Sequence, residues 1–389
     1  MGKMKRALGL MSGTSMDGND IALIATDGET VGQRGPAMAF PYADPTRARL
    51  RDGLVAARAM TSRFERPGNL AELETELTEL NAAAVNAFRR THSISRADID
   101  VIGYHGQTVL HRPPAHRVET TAEGVPYDIP EPGFTVQLGD GRLLAELTAL
   151  PVVYDLRAAD MDAGGHGAPL VPVYHGALAA NLPAHPVAIV NVGGVANVTF
   201  IGSDGGLVAF DTGPGNALLD DWMLKHTGQP LDEDGRVAAS GRVNDDVVRF
   251  YLAHAYFAAL PPKSLDRSAF ISDTVEWMSV EDGAATLTAL TAGGIVRARE
   301  HMKEEPALWV IAGGGRRNAT LMRMIAERVE GAVVPAEAVG LAGDSLEAEA
   351  WGFLAVRSLA GLPITFPGTT GVPAPTCGGV LVPAPVMIL

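Results

Sequence analysis

The chain has 389 residues, 47% of them hydrophobic and 20% charged, with 44 Gly, 26 Pro and a formal net charge of −14. That length accommodates two ordinary domains with a core each, and the composition is globular rather than fibrous or disordered. The acidic balance, with no basic face evident, argues against a nucleic-acid partner. The lone Cys377 excludes an internal disulfide, and no apolar run approaches the roughly 18 residues of a membrane span, so a cytoplasmic enzyme is expected.

In chain order, residues 6–11 predict a strand, 12–18 a loop of small residues and 20–26 a second strand. Helical patterns follow over 44–60 and 70–92. An apolar strand at 99–104 runs into His105-Gly-Gln107-Thr108. The stretch 111–134, rich in Pro and Gly, is expected to be an exposed loop. A helix over 143–148 leads to a buried strand at 151–154, which ends in Asp155-Leu-Arg157.

The second half opens as the first does: a strand at 187–190, Asn191-Val-Gly193-Gly194-Val-Ala-Asn197, and a strand at 198–201. Helices are predicted over 217–226, 244–259 and 285–302. A strand at 307–312 enters Gly313-Gly314-Gly315, followed by helices over 318–329 and 345–359. Two strand–loop–strand copies without a short repeat predict a duplicated two-domain α/β fold. The expected domains are 1–147 with 345–389, and 148–344, with a cleft between them.

Glycine-rich turns after strands bring backbone N–H groups together on an anion. The first loop adds hydroxyls at Ser12, Thr14 and Ser15 and carboxylates at Asp17 and Asp20. A carboxylate beside a phosphate repels it unless a Mg²⁺ ion or its waters lie between, so the loop points to a nucleotide with its metal near Asp17. The only Gly-Lys pair is at the terminus, which excludes a Walker A loop; no glycine cluster fits GxGxxG, and no serine sits in a hydrolase elbow.

Gly313–Gly315 with Asn318, between a strand and a helix, is a second candidate anion or nucleoside site. Asp155, Asp211 and Glu347 are candidate cleft carboxylates, Asp211 standing on the stiff run Asp-Thr-Gly-Pro-Gly-Asn216. His105 and His166 are candidate substrate hydrogen-bonders. The spacing of His105, His111, His166 and His175 fits no zinc motif.

Taken together, these motifs resemble the anhydro-N-acetylmuramic acid kinase family, nearly end to end. The resemblance rests on Gly9-Leu-Met-Ser-Gly-Thr-Ser-Met-Asp-Gly18 with Asp20, Gly103-Tyr-His-Gly-Gln-Thr108, Phe134-Thr-Val-Gln-Leu-Gly139 and Asp155-Leu-Arg157. It continues through Gly164-Gly-His-Gly-Ala-Pro-Leu170, Asn191-Val-Gly-Gly194 with Asn197, Phe210-Asp-Thr-Gly-Pro-Gly-Asn216, Pro262-Lys-Ser264, Gly313-Gly-Gly315 with Asn318, Glu347-Ala348 and Thr370-Gly371.

It implies an actin/hexokinase-like (ribonuclease H-like) fold with an ATP and sugar cleft. It also implies an ATP- and Mg²⁺-dependent kinase that opens the substrate's 1,6-anhydro ring with water and phosphorylates O6, in peptidoglycan recycling. By the same resemblance Asp211 is the general base. Arg157 and Glu347 line the sugar, and Asp155, His105 and Gln107 are further candidates for it. Ser12, Gly13, Thr14, Ser15, Met16, Asp17, Gly18, Asn19 and Asp20, with Gly193, Gly194, Gly313, Gly314 and Asn318, serve the nucleotide. A homodimer is implied as well. The alternative is a kinase of the same fold acting on another amino sugar or anhydrosugar. Departures are few: Leu156 replaces a frequent Phe, and Leu-Asp-Arg follows Ser264 in place of Thr-Gly-Arg.

Overall fold

The computed structural model describes residues 2–13, 16–120, 126–265 and 270–385. It comprises two compact units, Met1–Ala177 with Ser345–Leu389, and Leu178–Asp344.

In the first unit, β1 (Lys5–Ser12), β2 (Gly18–Thr26) and β3 (Val31–Pro41) form an antiparallel meander. On the other side of β1 lies β4 (Val101–Arg112), parallel to it, and then β8 (Val152–Tyr154), parallel to β4. Strand β7 (Phe134–Leu138) pairs antiparallel with the outer part of β4. The central strands are apolar almost throughout because both sheet faces are covered. Helices Leu70–Thr91 and Gly141–Thr148 pack Val85, Phe88 and Leu144 with Leu8, Ile102 and Tyr104.

Helix Leu346–Leu359 meets β1 and β4 at two glycines. A Cβ on Gly9 would stand 1.7 Å from the Ala348 carbonyl oxygen, and one on Gly103 would stand 2.0 Å from that of Trp351. The first glycine of the opening motif therefore serves helix–sheet packing. The helix docks on this unit's sheet, as its sequence position suggested.

The expected loop at 111–134 is largely sheet. Strand β4 runs on to Arg112, and β5 (Ala115–Thr120) with β6 (Pro126–Glu131) forms a separate antiparallel hairpin before β7. Its prolines mask the pattern, because proline is tolerated in edge strands whose N–H has no partner to find. Strand β8, expected to open the second domain, instead extends the first unit's sheet.

The second unit repeats the order. Strands β9 (Val187–Val192), β10 (Val195–Ile201) and β11 (Leu207–Pro214) form a meander, with β12 (Leu308–Ala312) and β13 (Ala332–Pro335) added in parallel beyond β9. Helices Val280–Arg297 and Ala319–Ala326 cover it, packing Ala292, Ile295, Leu321 and Ile325 against Val190, Trp309 and Ile311. The predicted helix over 244–259 is two, Asp245–Leu252 and Ala255–Ala258, the second capped by the His254 side chain. Strand β14 (Val380–Val382) closes the first unit's sheet against β8. Both units thus carry the ribonuclease H-like arrangement, a three-strand meander followed by two parallel strands on the far side of its first member.

Candidate active site

The first loop joins β1 to β2. Thr14 and Ser15 lie outside the described residues; the rest of the loop is held from beneath. Ser12, buried, shares a hydrogen bond of 2.8 Å with the Tyr42 hydroxyl. Burial, with the carboxylates of Asp17 and Asp20 adding to it, pushes that phenol up to about 12. It therefore stays a neutral hydroxyl. Gln107 Nε2 donates to the Gly13 carbonyl at 3.0 Å. His105 Nδ1 lies 3.1 Å from the Ser12 carbonyl oxygen. Met16 turns the loop with a φ of 54°, and Asp17 and Asp20 face solvent. Gln107 and His105 were expected at the sugar; their side chains brace the loop.

Three buried polar atoms at this loop have no partner among the described residues: both amide atoms of Asn19, and Gln107 Oε1. Orphaned buried polar atoms need water or a ligand to satisfy them.

Close by in the same unit, Arg157 donates from Nε to His105 Nε2 at 3.2 Å and from a terminal nitrogen to the Gly167 carbonyl at 2.7 Å. Its guanidinium lies 5.4 Å from the Trp351 ring centroid. Burial lowers its pKa to about 10 while the charge of Glu347 opposes that shift. Burial raises Glu347, and Arg157 opposes it. These two candidate sugar ligands are therefore an electrostatic pair.

Asp155 is bound differently. It has a φ of 54°, and its carboxylate is ion-paired to Arg63. Glu349, two residues beyond Glu347, is buried between Arg34, Tyr174 and Ser345 and anchors the start of its helix. Asp160 went unnoticed in the sequence. Its buried carboxylate accepts from Gly167 N and the Thr370 hydroxyl, both at 2.6 Å, and so shapes the loop that carries His166. The glycine run after it was the available signal: such a loop needs an acceptor to hold it.

In the second unit Asp211 sits inside β11, not after a strand. Asp211 faces Asn197 and Gly213 faces Ala196, so Thr212 is the extra residue of a bulge. Asp211 Oδ2 accepts from Leu265 N at 2.8 Å, its carbonyl accepts from the Tyr256 hydroxyl at 2.6 Å, and its N–H reaches the Lys263 carbonyl at 3.1 Å. Among the described residues only Leu265 donates to the carboxylate, which leaves Oδ1 to accept a proton. Burial raises the pKa from 3.8 to about 6, the Leu265 N–H opposing it. Lys263 is fixed by the carbonyls of Tyr256 and Phe257, each at 3.2 Å, and stands over the Phe210 ring. Sequence reasoning missed Tyr256, which acts from a separate helix.

The loops around this strand brace one another, chiefly through backbone. Gly215 N donates to Gly194 O at 2.9 Å, Asn216 N to Gly193 O at 2.7 Å, and Asn216 Nδ2 to Val192 O at 3.1 Å. A Cβ on Gly215 would lie 2.2 Å from the Gly193 carbonyl oxygen, and one on Gly313, at φ 71°, 2.4 Å from Asn191 Oδ1. Gly193, Gly194 and Gly314 differ. Added Cβ atoms there would meet nothing nearer than 3.5 Å, and no positive φ requires glycine. Internal structure does not explain these three glycines; a ligand lying on bare backbone would.

Asn318 caps helix Ala319–Ala326, its Oδ1 accepting from Leu321 N at 2.9 Å. Arg316 is locked between Glu337, Asp344 and the Gly313 carbonyl. Among the described residues no three His, Cys, Asp or Glu side chains could hold a metal by themselves. Nor is any described helix long and apolar enough to cross a membrane.

Duplicated ribonuclease H-like sheets, each with a small-residue hairpin loop, place the chain in the actin/hexokinase-like class of α/β proteins. Comparison with known proteins narrows this. The family model for anhydro-N-acetylmuramic acid kinase matches residues 5–384. An anhydro-N-acetylmuramic acid kinase of Azorhizobium caulinodans is 52% identical over 97% of this chain and 98% of its own length. One of Agrobacterium fabrum is 49% identical over 99% of this chain and 100% of its own. The chain belongs to the anhydro-N-acetylmuramic acid kinase family, and it is an enzyme of the kinase type.

Proposed function

We propose that the protein opens the 1,6-anhydro ring of anhydro-N-acetylmuramic acid with water and transfers the γ-phosphoryl group of ATP to O6. The products are N-acetylmuramic acid 6-phosphate and ADP, and the role is in peptidoglycan recycling. Family membership supports the substrate. The observation that carries the chemistry is Asp211: a rigidly mounted carboxylate that, among the described residues, is engaged at one oxygen only, with a pKa raised to about 6.

In this reading Asp211 Oδ1 takes a proton from water as the water oxygen bonds to C1. The C1–O6 bond breaks, and the released O6 attacks the γ-phosphorus, expelling ADP. A carboxylate of pKa near 6 is mostly ionised at neutral pH yet basic enough to assist. Arg157 and Glu347 hold the sugar.

The residues fit a nucleotide. The open glycines 193, 194 and 314 leave backbone bare for phosphates, and the Asn19 amide and Gln107 Oε1 have no partner among the described residues. Mg²⁺, when bound, neutralises the transferring phosphoryl group. Asp17 and Asp20, both exposed, are the carboxylates of this loop nearest its waters in this reading, which suits an ion held chiefly by phosphate.

The test is ADP release with the anhydro sugar, with the product weighed by mass spectrometry. A product heavier by one phosphoryl group plus one water supports the reading. Phosphate without water, or turnover only with non-anhydro sugars, sinks it in favour of an ordinary sugar kinase.

A further inference from the structure

We propose that His105 is a positioning residue that couples the occupant of Arg157 and Glu347 to the geometry of the phosphate loop. This rests on the sugar and nucleotide assignments made above. The histidine is buried in β4, its ring 4.5 Å from that of Trp351 between centroids. The Ser12 carbonyl can only accept, so Nδ1, 3.1 Å away, carries the proton. The Arg157 Nε–H can only donate, so Nε2, at 3.2 Å, is the bare acceptor. Both neighbours select the same neutral tautomer. Burial and the charge of Arg157 push the imidazole well below its usual pKa, which agrees with that form.

Each end of the ring leads to a functional group. From Ser12 it leads into the loop, where Gln107 on the same strand holds the next carbonyl, that of Gly13. From Arg157 it leads to the Gly167 carbonyl, the Trp351 face and the charge of Glu347. A histidine retained only to fill space does not require a cation on one nitrogen and a ligand loop on the other.

When a sugar engages Arg157, the guanidinium shifts or re-aims its Nε–H. The ring, confined by Trp351, then passes that change to the Ser12 carbonyl. By linkage the nucleotide tightens sugar binding by the same factor.

Two variants cut the relay at opposite ends. His105→Asn puts an amide N–H near the place of Nδ1, keeping the bond to Ser12 and losing the acceptor for Arg157. His105→Gln puts an amide oxygen near the place of Nε2, keeping Arg157 and losing Ser12. Calorimetry with ADP and Mg²⁺, with and without saturating anhydro-N-acetylmuramic acid, reads the coupling.

In the unaltered protein the sugar should tighten ADP by about fivefold or more. In both variants that ratio should fall to within about twofold of one, while each ligand alone binds within about threefold of the unaltered protein. Variants that keep the full ratio overturn the proposal. So does loss of both single-ligand affinities with a lowered melting temperature, which marks a purely structural histidine. If both ligands bind the unaltered protein without mutual effect, the relay alone fails; if the sugar does not bind, the sugar assignment fails and the relay with it. As an independent check, long-range ¹H–¹⁵N spectra should show His105 protonated only at Nδ1 at a pH where an ordinary histidine is half protonated. A doubly protonated ring there overturns the tautomer on which the relay depends.

Discussion

The two hairpin loops occupy the same topological position, between the first and second strands of equivalent sheets, yet they are stabilised in different ways. The loop after β1 is held by side chains reaching up from beneath it: Gln107 to Gly13, His105 to Ser12, and Tyr42 to the Ser12 hydroxyl. The loop after β9 is held by backbone, through Gly215, Asn216 and Ala217 N–H groups on the carbonyls of Gly193 and Gly194. The first carries carboxylates and hydroxyls; the second has bare glycines and leaves the carboxylate to β11. One geometry can thus be specialised by moving its support from side chain to main chain. Where side chains do the bracing, the loop can respond to neighbouring groups. Where backbone does it, the loop is fixed, which suits the strand that mounts Asp211.

Substitutions can break that comparison, starting with the proposed base. Asp211→Asn keeps an oxygen for the Leu265 N–H and removes the basic group, so turnover should fall about 10³-fold with ADP affinity unchanged. Turnover within tenfold of normal would move the role to another carboxylate.

The glycines of the second loop come next. Gly215→Ala forces a Cβ to 2.2 Å from the Gly193 carbonyl and should cost about 1–3 kcal/mol of stability in denaturant unfolding. Gly193→Ala meets nothing nearer than 3.6 Å, so it should leave stability alone and weaken ADP binding by about tenfold. Equal effects of the two on stability would erase the distinction between packing and ligand glycines.

The pH profile sharpens the same point. As a base Asp211 must be ionised, so kcat/KM should fall about tenfold per pH unit below about 6. The stability contribution has the opposite sign. Because burial raises the folded pKa from 3.8 to about 6, the group's contribution is full below 3.8 and is lost as pH rises through 6. Asp211→Asn should remove both trends, which parallel kinetic and unfolding titrations would reveal. The smallest effect belongs to the first loop: Asp17→Ala should raise the Mg²⁺ concentration for half-maximal rate about three- to tenfold, since a carboxylate acting through water contributes modestly. An unchanged Mg²⁺ dependence removes Asp17 from the metal's surroundings.

The sequence by itself determined both hairpin loops, the helix that returns to the first sheet, the duplicated α/β class and the family. Those signals are local: apolar runs closed by small residues, and motifs contiguous along the chain. Strand β3, Val31–Pro41, was missed because Arg, Gln, Gly and Pro interrupt its pattern on a partly exposed edge. The hairpin at 115–131 was hidden by its prolines. The Gly-Pro in Gly213-Pro214 read as a turn, but pairing with β10 extends β11 through it and sets Asp211 beside a bulge.

Only the tertiary structure decided which candidates are free to act. It gave Asp155 to Arg63, Asn318 to a helix cap, and His105 and Gln107 to the loop after β1, while among the described residues it left one oxygen of Asp211 unclaimed. Residue type and spacing announce which groups can do chemistry. Which of them are already spent on hydrogen bonds depends on partners far away in the chain, and folding alone brings those partners into reach.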